Sequence, residues 1–266
     1  MGRVILRGRP PIFALESLVL SGRFSSPYHY APDSAPWFSL ASAGDSGSNG
    51  LNLSYNGSPT DLGPGLNGFP SAQFEGVHNS IYSYTGAAGT ANLIPARIDR
   101  FFSRTGYGVV FVAKPNVVNA PQPGADERSS RGMFNDGGQT KLSLNIDTNG
   151  VHLCHVGTSG LKVATVAYAV GDFAVYIGGF DGTNLWMRRN RGTRASVTAA
   201  PIANPFDGTG AFHVGDNWGG GGSDEAEQSH YSGQILDILT ARQPFTLTEE
   251  ANIVAAFEAK YARSFT

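Results

Sequence analysis

Cysteine is almost missing from this chain. Its 266 residues hold one, Cys154, so no disulfide can close within it. That usage predicts folding in a reducing cytoplasm. Charge is sparse as well: 15% of residues are charged, and 19 Lys+Arg against 21 Asp+Glu leave a net charge of −2 with a pI near 6.3. A balance of that kind argues against a nucleic-acid or membrane-surface binder, both of which need a basic face. Long apolar runs are also lacking. No stretch approaches the ~20 residues of a membrane span. The run from Ile12 to Leu20 follows Pro10 and Pro11 and contains Glu16 and Ser17, which predicts neither a signal peptide nor membrane insertion. No repeat recurs at a fixed period, and no linker separates two halves. One domain is expected.

Glycine, by contrast, is abundant: 35 residues, roughly twice the ordinary share. With 41% hydrophobic residues, this composition predicts many short strands joined by tight turns around a sizeable core. Alternation or apolar runs predict strands at Leu18–Leu20, Leu51–Tyr55, Tyr107–Lys114, Leu142–Ile146, Val151–Val156, Lys162–Ala169, Phe173–Gly178, Leu185–Arg189 and Ala211–Gly215. Asp147-Thr-Asn149-Gly150 predicts a hairpin turn. Residues 25–50 and 115–140 read as long polar loops, with Pro115 as a strand stop. Ile235–Leu239 reads as a closing strand ended by Pro244. Thr246 and Glu249 then fit a capping box, opening a helix over 247–262. Leu247, Ala251, Val254, Phe257 or Glu258, and Tyr261 recur at helical spacing and predict its buried face. Residues 1–17, with Arg3, Arg7 and Arg9, form a basic arm expected to dock on a more acidic neighbouring surface.

Several clusters invite a chemical reading. Gly44-Asp45-Ser46-Gly47 has the look of a serine nucleophile loop, but His29 is the one histidine upstream, too close for a triad of the usual layout. It is read as a turn. His152 and Cys154 share a strand face with His155 beside them, yet two further ligands for a structural zinc site are wanting. A buried thiol beside two polar strand residues is expected, with neither metal nor cofactor. Glu225 and Glu227 fall in a glycine-rich loop and Asp237 stands alone, so the strand-borne carboxylate set of a sandwich glycosidase is not present. No catalytic residue is assigned. Arg188, Arg189, Arg191 and Arg194 gather at a strand end, where alternation puts Arg189 and Arg191 on one face and Arg188 on the other. They would meet an anion or another subunit. Asp216, Asn217 and Trp218 pair an aromatic face with carboxylate and amide groups, the set that holds a sugar ring.

Ordered blocks carry a family resemblance over about residues 18–262. Leu66-Asn-Gly-Phe-Pro70 with Ala72-Gln-Phe-Glu-Gly76, preceded by Trp37 and Gly50–Leu53, resembles the entry strand of the concanavalin A-like lectin/glucanase superfamily in its laminin-G-like branch. Tyr107–Val112, Phe212–Gly215, and Tyr231–Leu239 followed by Leu247-Thr-Glu-Glu250 are similar to its later strands and closing helix. The resemblance implies an all-β fold: a concanavalin A-like antiparallel β-sandwich, or jelly roll, with one C-terminal α-helix and here an extended N-terminal arm. Such domains are frequent on tailed-phage virions. The implied role is a non-enzymatic virion structural protein, a capsid decoration, head fibre or tail component. Its partners would be other virion proteins and copies of itself. The alternative is a carbohydrate-binding module for host-surface polysaccharide, and after that a divergent glycosidase.

Overall fold

The computed structural model describes residues 28–30, 42–43, 53–56, 62–75, 80–82, 102–116, 131–135, 142–168, 171–202, 213–214 and 231–266. In chain order their strands are β1 (Tyr28–Tyr30), β2 (Ser42–Ala43), β3 (Leu53–Asn56), β4 (Leu62–Pro64), β5 (Pro70–Glu75), β6 (Ser80–Tyr82), β7 (Tyr107–Pro115) and β8 (Arg131–Asn135). They continue with β9 (Leu142–Asp147), β10 (Gly150–Gly157), β11 (Gly160–Val166), β12 (Ala174–Phe180), β13 (Asn184–Arg189), β14 (Ala195–Thr198), β15 (His213–Val214) and β16 (Ser232–Ala241), and helix α1 (Leu247–Tyr261) follows. Sheet A runs β14-β13-β12-β7-β16-β5-β4, with β1 pairing the far half of β16. Sheet B runs β11-β10-β9-β8-β15-β6-β3-β2. Every pairing is antiparallel.

The two sheets face each other across one core. Val109, Phe111 and Ala113 of β7 meet Leu142, Leu144 and Ile146 of β9 and Leu153 of β10 there. The alternate residues of β7, Val110 and Val112, join a second cluster with Ile253, Val254, Phe257 and Tyr261 of α1. Strand β7 is thus buried on both faces, which is why its sequence is a nearly unbroken apolar run rather than an alternating one. Gly108 leaves the space that the Phe245 ring fills: a Cβ there would lie 2.4 Å from that ring.

Charge fixes α1 on the outer face of sheet A. Thr246 caps the helix and exchanges hydrogen bonds with Glu249, as the capping box predicts. Glu250, 0% exposed, pairs with Arg188 at 2.9 Å and with Arg194. Arg194 also lies 3.9 Å over the Trp186 ring and donates to Phe245 O. In β16 a register shift between Ile235 and Asp237 marks a bulge. Leu236 and Asp237 therefore both face the helix instead of alternating. The buried Asp237 carboxylate accepts from Lys260 Nζ at 3.0 Å and from the Tyr261 hydroxyl.

The structure corrects several expectations. Val254, Phe257 and Tyr261 of the helix are buried as predicted, but its face is rotated at the N-terminal end: Leu247 is 62% exposed and Ala251 is exposed, while Glu250 and Ile253 are buried. The ion pairs of Glu250 set that rotation. Strand β8 lies inside the stretch read as a loop, and β1 and β2 lie inside residues 25–50. Pro115 belongs to β7 as its last residue. Opposite Gly233 it needs no N–H, and its carbonyl accepts from Gly171 N. Leu18–Leu20 and the basic arm lie outside the described residues.

Inside the core, His155 bridges the sheets. Its Nε2 is 2.7 Å from Ala200 O, which can only accept, so Nε2 carries the proton. Nδ1 therefore accepts from the Tyr107 hydroxyl at 3.0 Å. Burial pushes the imidazole below its ordinary value, against a smaller opposing effect of the Ala200 bond. For a base with a lowered folded-state pKa, the neutral form's contribution to stability is full above the unfolded value of ~6.5. It is lost as pH falls from there toward the folded value.

Two outcomes are expected. Replacing Glu250 by Ala leaves Arg188 and Arg194 without their carboxylate, side chains only 11% and 23% exposed, and should cost about 3 kcal/mol in denaturant unfolding. Arg191→Ala, which breaks an exposed pair with Glu258, should leave the midpoint unchanged. Separately, thermal stability should fall as pH drops below about 6.5, and His155→Gln should flatten that fall. A wild-type Tm constant from pH 7 to 5 would contradict the neutral assignment.

Candidate functional site

The outer faces of the two sheets differ. That of sheet A is sealed by α1. That of sheet B, over β9 to β11, carries Ser143, Asn145, Asp147, His152, Cys154 and Thr165, since these alternate with the core residues of the same strands. The polar row is internally bonded. Asn145 Nδ2 donates to Ser143 Oγ at 3.0 Å, and His152 lies between Thr165 Oγ1 at 2.9 Å and Asp147 Oδ1 at 2.8 Å.

Local folding explains that contact. Asp147 and Gly150 flank the two-residue turn Thr148-Asn149, so Asp147 and His152 become diagonal neighbours on one face. The Asp147 carboxylate also accepts from Asn149 N at 2.6 Å and Gly150 N at 3.3 Å. Burial alone would raise its pKa, but the bonds from His152, Asn149 and Gly150 outweigh it and hold the group below the usual carboxylate value. Such a carboxylate is an anchor and an acceptor. It is the opposite of a raised-pKa general acid.

Four further groups collect at the same end of the sandwich. Strand β11 ends there, leading into exposed Ala167 and half-buried Tyr168, whose phenol is raised by burial and by the nearby Asp147 charge. On sheet A, Tyr176 of β12 and Arg189 of β13 are directly opposed, and Arg189 Nη1 donates to Ala167 O at 3.2 Å across the gap between sheets. Strand β15 is antiparallel to β8, which is antiparallel to β9. Its C-terminal end therefore points toward the Asp147 end.

The residues singled out in the sequence fall into three groups. Arg188, Arg191 and Arg194 bind the α1 carboxylates Glu250 and Glu258. They meet the helix of their own chain, and Arg189 alone of the four has no carboxylate partner among the described residues. Arg188 and Arg189 take opposite faces as alternation predicts. Arg191 does not join Arg189, because Asn190 turns the chain with φ of 53° and sends Arg191 to the helix side. Asp237 is a helix anchor. Cys154 is a buried thiol, in no disulfide, between polar neighbours. Asp216, Asn217 and Trp218, which follow β15 in sequence, lie outside the described residues, as do Arg3, Arg7, Arg9, Glu225 and Glu227. Sequence reasoning missed the Asp147–His152 contact, although the predicted hairpin already implied it. Tyr176 gave no signal, because its approach to Arg189 depends on strand pairing.

No family model and no curated protein matches the sequence. Solved structures do match the fold. Domain 4 of the extracellular arabinanase AbnA from Geobacillus stearothermophilus, in complex with arabinotriose, is similar with a TM-score of 0.57 at 15% identity, over 87% of this chain and 98% of that one. The binding domain of a paraclostridial mosquitocidal protein gives 0.58 at 8% identity, over 86% of this chain. Trypanosoma rangeli sialidase in complex with sialic acid gives 0.55 at 9% identity, over 89%. This chain spans 52% of the mosquitocidal domain and 33% of the sialidase. At such identities the likeness is one of fold: an all-β antiparallel sandwich with one C-terminal helix.

Proposed function

We propose that the chain is a carbohydrate-binding module that holds its ligand without turning it over, at the Asp147 end of the sandwich. One observation carries this reading. Acceptors and donors of the kind that grip sugar hydroxyls, Asp147, His152, Thr165, Tyr168 and Arg189, gather at that end, with Asp147 and His152 largely buried. In the sequence, Asp216, Asn217 and Trp218 add the aromatic face, carboxylate and amide that are the usual composition of a sugar site. The fold-level neighbours lend support: one was solved with arabinotriose, another with sialic acid, and a third is a botulinum neurotoxin whose cell entry depends on two ganglioside molecules. Binding without turnover accords with Asp147, a carboxylate held low rather than poised to give a proton.

A second reading concerns the setting. The basic arm with Arg3, Arg7 and Arg9 favours placement on a tailed-phage virion, where the arm grips other virion proteins and the sandwich faces outward, in a symmetric assembly with copies of itself. The two readings are compatible, since a virion decoration can hold host polysaccharide.

On a glycan array the wild-type chain should retain a subset of oligosaccharides, and Trp218→Ala should weaken retention by about fivefold, the worth of one stacked ring. Arabinan and β-glucan should stay uncleaved. Retention of no glycan would end the binding reading, and release of reducing ends would end the non-catalytic one. For the setting, a chain lacking residues 1–16 should fold yet fail to enter particles; normal incorporation would remove that reading.

A further inference from the structure

Among the described residues, Tyr176 and Arg189 form a polar pair with hydrogen-bonding capacity left unused. Directly opposed residues on antiparallel strands have Cβ atoms ~5 Å apart on one face, here the face turned toward sheet B. Tyr176 is 1% exposed, and its hydroxyl has no hydrogen-bond partner. Folded proteins avoid that arrangement unless water or a ligand completes it. Beside it, the Arg189 guanidinium makes a single hydrogen bond, to Ala167 O, although it has five N–H donors. The carboxylates nearby are already engaged, Asp172 by Arg263 and Asp147 by His152 and the turn amides. Neither neutralises Arg189.

We infer that Arg189 and Tyr176 form a recess for the carboxylate of an acidic sugar, an inference that rests on the glycan-binding reading and narrows its ligand class. The planar guanidinium offers paired N–H donors to both carboxylate oxygens. The Tyr176 hydroxyl supplies a further donor from the buried side. Exposed Ala167, whose carbonyl Arg189 bonds, and half-buried Tyr168 lie on the solvent side of the pair. A neutral sugar could meet the donors but would leave the cation unmatched, so the recess discriminates by charge. Burial, with Asp172 and Tyr168 adding to it against the opposing charge of Arg189, raises the Tyr176 phenol. The hydroxyl therefore keeps its proton and can donate.

Isothermal titration of the full chain with trigalacturonate, sialyllactose, arabinotriose and sodium acetate tests this. An acidic oligosaccharide should bind at least about tenfold tighter than arabinotriose, and acetate should bind far more weakly than either acidic glycan. Arg189→Gln should weaken the acidic ligand by about 10- to 100-fold, the loss of a charge-assisted pair, and change arabinotriose little. Tyr176→Phe removes a hydroxyl that bonds nothing in the fold, so it should leave Tm unchanged while weakening the acidic ligand severalfold. It decides the matter if Arg189→Gln fails to fold. Equal affinity for acidic and neutral glycans, acetate binding as tight as the oligosaccharide, or full affinity in both variants would each overturn the carboxylate recess, leaving only a water on Tyr176. A wild-type chain that binds arabinotriose with no acidic preference keeps the glycan reading and loses this inference. A chain that binds none of the glycans loses both.

Discussion

The carboxylate of Glu250, buried between Arg188 and Arg194, is the constraint on which the rest of the structure depends. A carboxylate taken out of water holds only where its charge is matched and its oxygens are bonded. Two arginines from the end of β13 and the turn after it meet that need. They fix how far α1 is rotated and which strand end it covers. The Asp237 bulge supplies the second fixed point, joining the far end of the helix through Lys260 and Tyr261. Between these two charged contacts, Ile253, Val254, Phe257 and Tyr261 close over Val110, Val112 and Leu239, each burial worth roughly 1.5–3 kcal/mol.

Sealing one face decides what the other can do. With the outer face of sheet A under the helix, the polar groups of the described strands lie along sheet B, where they are buried and bonded to one another, and at the Asp147 end. The hairpin Asp147–Gly150 is the pivot there. Its turn amides hold the carboxylate ionised, and the carboxylate in turn orients His152 toward Thr165. His155, three residues further along the same strand, points inward and serves the core through Tyr107 and Ala200. The pleat thus assigns neighbouring histidines to different tasks.

Local features were legible in the sequence wherever a short-range rule governs them. The capping box at Thr246, the hairpin at Asp147 and strand β7 follow from adjacent residues alone, and the sandwich follows from their order. Features set by pairing at a distance were not. Leu247 looked buried because spacing says nothing about Glu250, whose charge turned the helix. Strand β8 hid among polar residues because one partner, Val214 opposite Phe134, is far along the chain and only the other, at Leu144, is close. The arginine cluster was visible as a cluster, but only the fold separates three helix anchors from Arg189. Tyr176 was an ordinary strand residue until β13 placed Arg189 opposite it.

The proposed glycan reading puts the ligand at one end of the sandwich and not on its closing helix. Chemical-shift mapping of the labelled chain during titration with an oligosaccharide tests this most directly. The expected result is perturbation of amides at Asp147–His152, Thr165–Tyr168, Tyr176 and Arg189, with those of Leu247–Tyr261 unmoved. Perturbation confined to the helix and the outer face of sheet A would contradict it.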